Sequence, residues 1–263
     1  DAATAPISGF SGHYYCGSSG TATQFSTAQW YDLLDRANYM ETFINEHWTA
    51  MGEFDPKHEI KLIVDEWGCW HPTGTEIRKE FDFCQISTLR DAMVAGLTLD
   101  TFHRHADKLS LCAVAQLVNN LHSLYLATDD KCVETTNYHV FDMYSAHQDA
   151  TLVPIDVQSE QYEHAGYSVP AISASASVGA EGKLHLTLSN ANPNKDITVK
   201  AFVRGMKGSK VEGRVLHAST MHAHNTFEKP DAVKPQAFGG ATLTAEGLEI
   251  NVPKMSVVAL DVM

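Results

Sequence analysis

The run IKLIVDEWGCW, residues 60–70, sets apolar side chains at 60, 62, 63 and 64 and then breaks into Asp65, Glu66 and Trp67. A short run with no polar face marks a strand covered on both sides, as in a parallel sheet. Parallel strands need long crossovers, so helices are expected on either side of it in the chain. Glu66 then falls at the carboxyl end of the strand, where parallel barrels carry their chemistry. It is the first candidate catalytic group, and an ordinary acidic residue leaving a strand is the alternative.

The surrounding chain repeats a unit of strand, loop and helix. Residues 7–15 read as a strand ending in Tyr14 and Tyr15, followed by the loop CGSSGTATQ. Ser26 and Gln29 form a capping-box pattern, after which Trp30, Leu33, Leu34, Ala37, Met40, Phe43, Ile44 and Trp48 recur at helical spacing. Phe83, Ile86, Leu89, Met93 and Leu97 mark a second helix. The segment LTLDTFHRHAD (97–107) reads as a third strand, and Leu111, Val114, Leu117, Val118, Leu121 and Tyr125 as the face of a third helix.

From about Thr135 the period changes to two, clearest at Leu184, Leu186 and Leu188, at Ile197, Val199 and Ala201, and at Leu248, Ile250 and Val252. Gly and Pro punctuate these runs, so a β-sandwich is expected, closed by residues 255–262. The fold class is α/β plus all-β. A complete barrel of eight strand–helix units takes roughly 250 residues. Three units are visible here.

The formal charge of −13, from 32 acids against 19 bases, comes with no basic run, which argues against a nucleic-acid partner. No apolar stretch approaches the roughly 20 residues that span a bilayer, and no targeting segment is visible. Cys16, Cys69, Cys84, Cys112 and Cys132 form no CxxC pair, and an odd number cannot pair fully. Reduced thiols in a cytoplasmic protein are the expectation.

The motifs HYYCG (13–17), VDEWGCW (64–70), FHRHADKL (102–109), VAQLVNNLHSL (114–124) and HNTFEKPDAVKP (224–235) occur in family order. Together they resemble the carboxyl-terminal half of family-51 glycoside hydrolases, the α-L-arabinofuranosidases. The resemblance implies that residues 1–134 are the last part of a (β/α)8 TIM barrel, about strands six to eight, and residues 135–263 a jelly-roll β-sandwich. It implies exo-acting, retaining hydrolysis with Glu66 as nucleophile and neither metal nor organic cofactor. Tyr15 would hydrogen-bond the nucleophile, Gln116 would contact arabinose hydroxyls, Trp70 would border the leaving-group side, and His13 would join them in binding substrate. Family members commonly form hexamers, so a higher homo-oligomer is expected by resemblance.

Retaining chemistry needs a second carboxyl group about 5–5.5 Å from the first. In the family it is a glutamate that follows an asparagine on an earlier strand, and this sequence starts beyond that point. Asn45-Glu46 lies inside the first predicted helix and is a poor substitute. The acid/base is therefore expected from an amino-terminal half, as a nicked fragment or a second chain.

Three other readings compete. His103, His105 and Asp107 alternate along the predicted third strand and would share a face able to hold zinc in a metal-dependent hydrolase. His217, His222 and His224 form a second cluster, expected as solvated surface. A non-catalytic carbohydrate-binding or interaction module is the alternative outside enzymes, and endoglucanase-like action the alternative within the family.

Overall fold

The computed structural model describes residues 7–81, 83–205 and 208–263. Strands β1 (Gly9–Tyr15), β2 (Lys61–Gly68) and β3 (Leu109–Val114) form a parallel sheet with β2 in the middle. Helix α1 (Thr27–Gly52) connects β1 to β2, and α2 (Leu89–Arg104) connects β2 to β3. The Ser26 capping box is present: Gln29 N–H donates to Ser26 Oγ, and Ser26 N–H donates to Gln29 Oε1 at 2.8 Å. A second one, Thr88 with Asp91, starts α2.

That second box explains two corrections. Within residues 97–107, expected as a strand, 97–104 continue α2 and 105–107 form the turn after it, because the helix started by the cap is buried on nearly every side from Leu89 to Phe102. Residues 111–114, expected in a helix, belong instead to β3, the strand that pairs with β2. Leu117 and Val118 beyond it are exposed in a loop, and Asn119 and Leu121 adopt φ of 55° and 52°, values no right-handed helix tolerates.

Within β2, Leu62 and Val64 are wholly buried while Ile63 is only partly so. Ile63 and its register partner Leu111, which is 51% exposed, share the other face of the sheet. The expected cover on both faces is thus met on one. Strands β1 and β3 are both edges among the described residues, each with pairing groups on its outer side.

A small hairpin, β4 (Tyr125–Ala127) and β5 (Cys132–Glu134), leads to helix α3 (Thr136–Tyr144), which packs on α2. The period-two region then supplies β6 (Thr151–Val153), the hairpin β7 (Gln161–His164) and β8 (Tyr167–Pro170), then β9 (Ile172–Val178) and β10 (Leu184–Asn190). Next come β11 (Ile197–Phe202), β12 (Val211–His217), β13 (Gln236–Ala237), β14 (Ala241–Leu243), β15 (Gly247–Val252) and β16 (Ser256–Val262). A six-stranded sheet in the order β13-β12-β16-β10-β9-β6 faces a three-stranded sheet β11-β15-β14. Leu184, Leu186 and Leu188 meet Leu248, Ile250 and Val252 in the core between them, as their alternation requires.

The parallel sheet and the sandwich share a second core. Trp30, Leu34, Trp67, Met93 and Leu97 pack with Leu216 and Val257, and the Trp30 indole N–H donates to the carbonyl of Ala191 at 3.0 Å. Asp100, wholly buried on α2, accepts from Ser173 at 2.7 Å, Ser175 at 3.0 Å and Tyr144 at 2.9 Å. Burial pushes its carboxyl up to about 6 against these donors. No helix among the described residues is long and apolar enough to cross a membrane.

Candidate active site

Glu66 sits where β2 ends, and the parallel register sets His13 beside it. Tyr15, two residues on, donates its hydroxyl to Glu66 Oε2 at 2.7 Å. The His13 ring reaches both acids, with Nδ1 3.5 Å from Glu66 Oε2 and Nε2 3.2 Å from Asp65 Oδ1. Consecutive residues of a regular strand point to opposite faces. Here the register shifts between Ser11 and His13 and again between Val64 and Trp67, and these irregularities turn Asp65 and Glu66 toward one imidazole. Ser11 Oγ completes the group by donating to Asp65 Oδ1 at 2.5 Å.

The electrostatics follow from these contacts. Burial, and then the bond to Glu66, raise the Tyr15 phenol far above its ordinary value, so it stays a donor at any working pH. The Ser11 hydroxyl holds Asp65 below the usual carboxylate range.

The two tryptophans of the motif separate. Trp67 is 1% exposed and stacks on Phe141, a core residue. Trp70 is 45% exposed and packs edge-on to Tyr15, with ring centroids 5.2 Å apart, and to Phe83 at 5.5 Å. Gln116 leaves β3 at the same end of the sheet, one residue after Ala115 donates its N–H to the carbonyl of Trp67. It is exposed, and its amide oxygen accepts from Asn120 at 3.4 Å. Four predicted residues are thus linked in a chain of contacts, His13 to Glu66, Glu66 to Tyr15 and Tyr15 to Trp70, and Gln116 stands on the same rim.

Below the rim lies a buried polar layer that the sequence reading missed. His71 and Asp91 bond at 2.8 Å, Gln85 Nε2 donates to the His71 carbonyl at 2.6 Å, and His122 lies against Asp91. Burial lowers the His122 imidazole to about 4. The one local signal was the capping pattern Thr88-x-x-Asp91, which places Asp91 at a helix start but says nothing of its partners. Phe83, which the apolar spacing places in the second helix, lies instead in the loop before it, and its contact with Trp70 depends on that loop.

The zinc reading does not survive. His103 lies in the last turn of α2 and bonds Ser175 Oγ at 2.8 Å, His105 caps the helix and bonds Glu41, and Asp107 lies in the following turn. Residues spaced by two on a helix diverge by about 200°. His217, His222 and His224 each bond a different backbone carbonyl, those of Lys254, Phe25 and His222, and gather no common ligand position.

A carboxylate at the carboxyl edge of a parallel sheet, fixed by a phenol and walled by exposed aromatic rings, can attack or deprotonate a polar molecule whose apolar face lies on the rings. Comparisons with known proteins give the class. A family described as "Alpha-L-arabinofuranosidase C-terminal domain" matches residues 65–256. An intracellular exo-alpha-L-arabinofuranosidase of Bacteroides ovatus is 36% identical over 97% of this chain and 51% of its own length. An intracellular exo-alpha-(1->5)-L-arabinofuranosidase of Streptomyces lividans is 25% identical over 87% of this chain and 41% of its own. The crystal structure of a GH51 arabinofuranosidase from Xanthomonas axonopodis pv. citri superposes with a TM-score of 0.93 at 35% identity, over 97% of this chain and 53% of that one.

The chain belongs to the α-L-arabinofuranosidase C-terminal domain family and is similar throughout to the carboxyl-terminal portion of glycoside hydrolase family 51. It spans about half the length of the curated relatives it matches.

Proposed function

We propose that the protein is a retaining, exo-acting α-L-arabinofuranosidase that releases terminal arabinofuranosyl residues from arabino-oligosaccharides or arabinose-substituted polysaccharides. The observation that carries this reading is the 2.7 Å bond from Tyr15 to Glu66 at the carboxyl end of a parallel strand. Glu66 is the nucleophile, and Tyr15 orients it and stabilises its charge. Gln116, His13 and Trp70 bind the sugar, Trp70 on the leaving-group side.

In this reading residues 1–134 are the last three units of a (β/α)8 barrel and residues 135–263 a jelly-roll sandwich. Two edge strands and the half-exposed Leu111 support it, since earlier barrel strands would pair those edges and cover that face. The acid/base carboxyl comes from the amino-terminal half of the whole protein, about 5–5.5 Å from Glu66. It protonates the leaving oxygen and then deprotonates the water that hydrolyses the glycosyl ester on Glu66. The assembled enzyme is cytoplasmic and a homo-oligomer.

The test is Glu66→Gln in the assembled enzyme, assayed on an aryl arabinofuranoside. Glutamine keeps the shape and removes the nucleophile, so turnover is abolished while the fold stays intact. Unchanged turnover would reject the assignment and favour a non-catalytic carbohydrate-binding role for this chain.

A further inference from the structure

Beneath the rim, three elements bring unlike metal-binding donors together. Cys69 follows β2, Asp91 lies in the first turn of α2, and His122 belongs to the loop after β3. Each is about 1% exposed, and one ligand atom from each lies within 4.8 Å of the others. Asp91 Oδ1 and His122 Nδ1 are 3.9 Å apart.

The decisive observation is His122. Both of its ring nitrogens are buried without a hydrogen-bond partner. A buried imidazole with both nitrogens unpaired by the protein is unfavourable, and such groups call for a physical explanation. The fold nevertheless holds it there. Gly68 has φ of +143°, and a Cβ at that position would sit 2.4 Å from His122 Cβ, so only glycine lets the histidine approach the end of β2.

Asp91 is similarly committed. Its Oδ2 accepts from the N–H and hydroxyl of Thr88, while Oδ1 faces His71 Nε2 at 2.8 Å and His122 beyond it. A carboxylate already oriented by a histidine is a familiar arrangement around bound metals. The neighbouring cation, Arg90, is directed elsewhere, to the carbonyls of Ser19 and Thr21 and the ring of Phe25.

We propose that Cys69, Asp91 and His122 form a binding site for one borderline-soft divalent ion of the zinc class. Sulfur and imidazole donors in one set select zinc or its analogues over magnesium or calcium. Binding replaces the Cys69 proton: the thiol loses H⁺ to solvent, the thiolate bonds the ion, and thiolate plus carboxylate balance its two charges. Tetrahedral zinc sets neighbouring donors roughly 3.3–3.8 Å apart, so closure needs at most about 1.5 Å of contraction. The ion would be structural. Cys69 and His71 flank Trp70 in sequence, so it would anchor the turn that carries the aromatic wall.

The experiment uses the assembled, full-length protein, stripped with a chelator and titrated with Zn²⁺ or Co²⁺ alone. The expected result is one ion per chain, a thiolate-to-cobalt charge-transfer band, and a midpoint of thermal unfolding raised by about 2–3 °C at hundredfold excess over Kd. C69S and H122A should lose the band, and C132S, at an exposed cysteine, should keep it. Should C69S not fold, the parent protein still decides, through its metal count and band. No stoichiometric ion and no band in the parent, or a band that persists in folded C69S, would overturn the proposal.

Discussion

Replacing Tyr15 with phenylalanine isolates one atom. The ring that meets Trp70 at 5.2 Å stays, and the hydroxyl 2.7 Å from Glu66 is removed. Hydrogen bonds to charged groups are worth about 1.5–3 kcal/mol. The Glu66 side chain is 36% exposed, so water replaces part of the loss, and the lower part of that range, about 1.5–2 kcal/mol, applies. That corresponds to a fall of about 10–30-fold in rate.

The step affected follows from where charge develops. In the proposed glycosyl-enzyme Glu66 is an ester, and negative charge returns to it as water attacks, so a donor at Oε2 helps most in that second step. With an aryl arabinofuranoside bearing a good leaving group, kcat should fall about 10–30-fold and KM should fall with it. A burst of released phenol equal to the active sites should appear in stopped flow. A kcat within twofold of the parent and no burst, in a variant whose unfolding midpoint has not moved, would refute the reasoning.

Gly68→Ala should destabilise the fold, since its Cβ meets His122 Cβ at 2.4 Å and φ is +143°; overpacking and strain together cost about 2–5 kcal/mol, readable by denaturant unfolding. Asp100 carries a pH signature. Its carboxyl is raised by burial from 3.8 to about 6, so its contribution is fully present below pH 3.8 and is lost as pH rises through 6. The parent should therefore lose about 2.5 kcal/mol between pH 4 and 7 that Asp100→Asn does not, measured as the difference between their two stability–pH curves. Trp70→Ala should weaken catalysis on longer oligosaccharides more than on aryl arabinofuranosides, because the proposed function puts the removed ring on the leaving-group side; equal losses in kcat/KM for both would contradict that placement.

Much of the molecule is written in local pattern. The apolar run before Glu66, the Ser26-x-x-Gln29 cap and the alternation at residues 184–188 and 248–252 each depend on near neighbours, and each element formed as those neighbours require. The errors at residues 97–107 and 111–125 share a cause. Both are mixed apolar segments for which period alone does not choose between helix and strand. The choice came from the cap at Thr88 upstream and from pairing with β2, which lies more than forty residues away in the chain.

The candidate site divides along the same line. Glu66 was legible because a strand end is a local property, and family motifs pointed to its neighbours. Its closeness to Tyr15 spans 51 residues and exists only through the parallel register, and the turn of Asp65 and Glu66 toward His13 depends on irregularities in two pairings. For the layer of Cys69, His71, Asp91 and His122, the one local signal is the Thr88-x-x-Asp91 cap, which does not reveal the partners of Asp91. Its members come from the crossover between β2 and β3 and from the loop after β3, and it forms only when these close on one another, because burial and donor geometry are properties of that assembly.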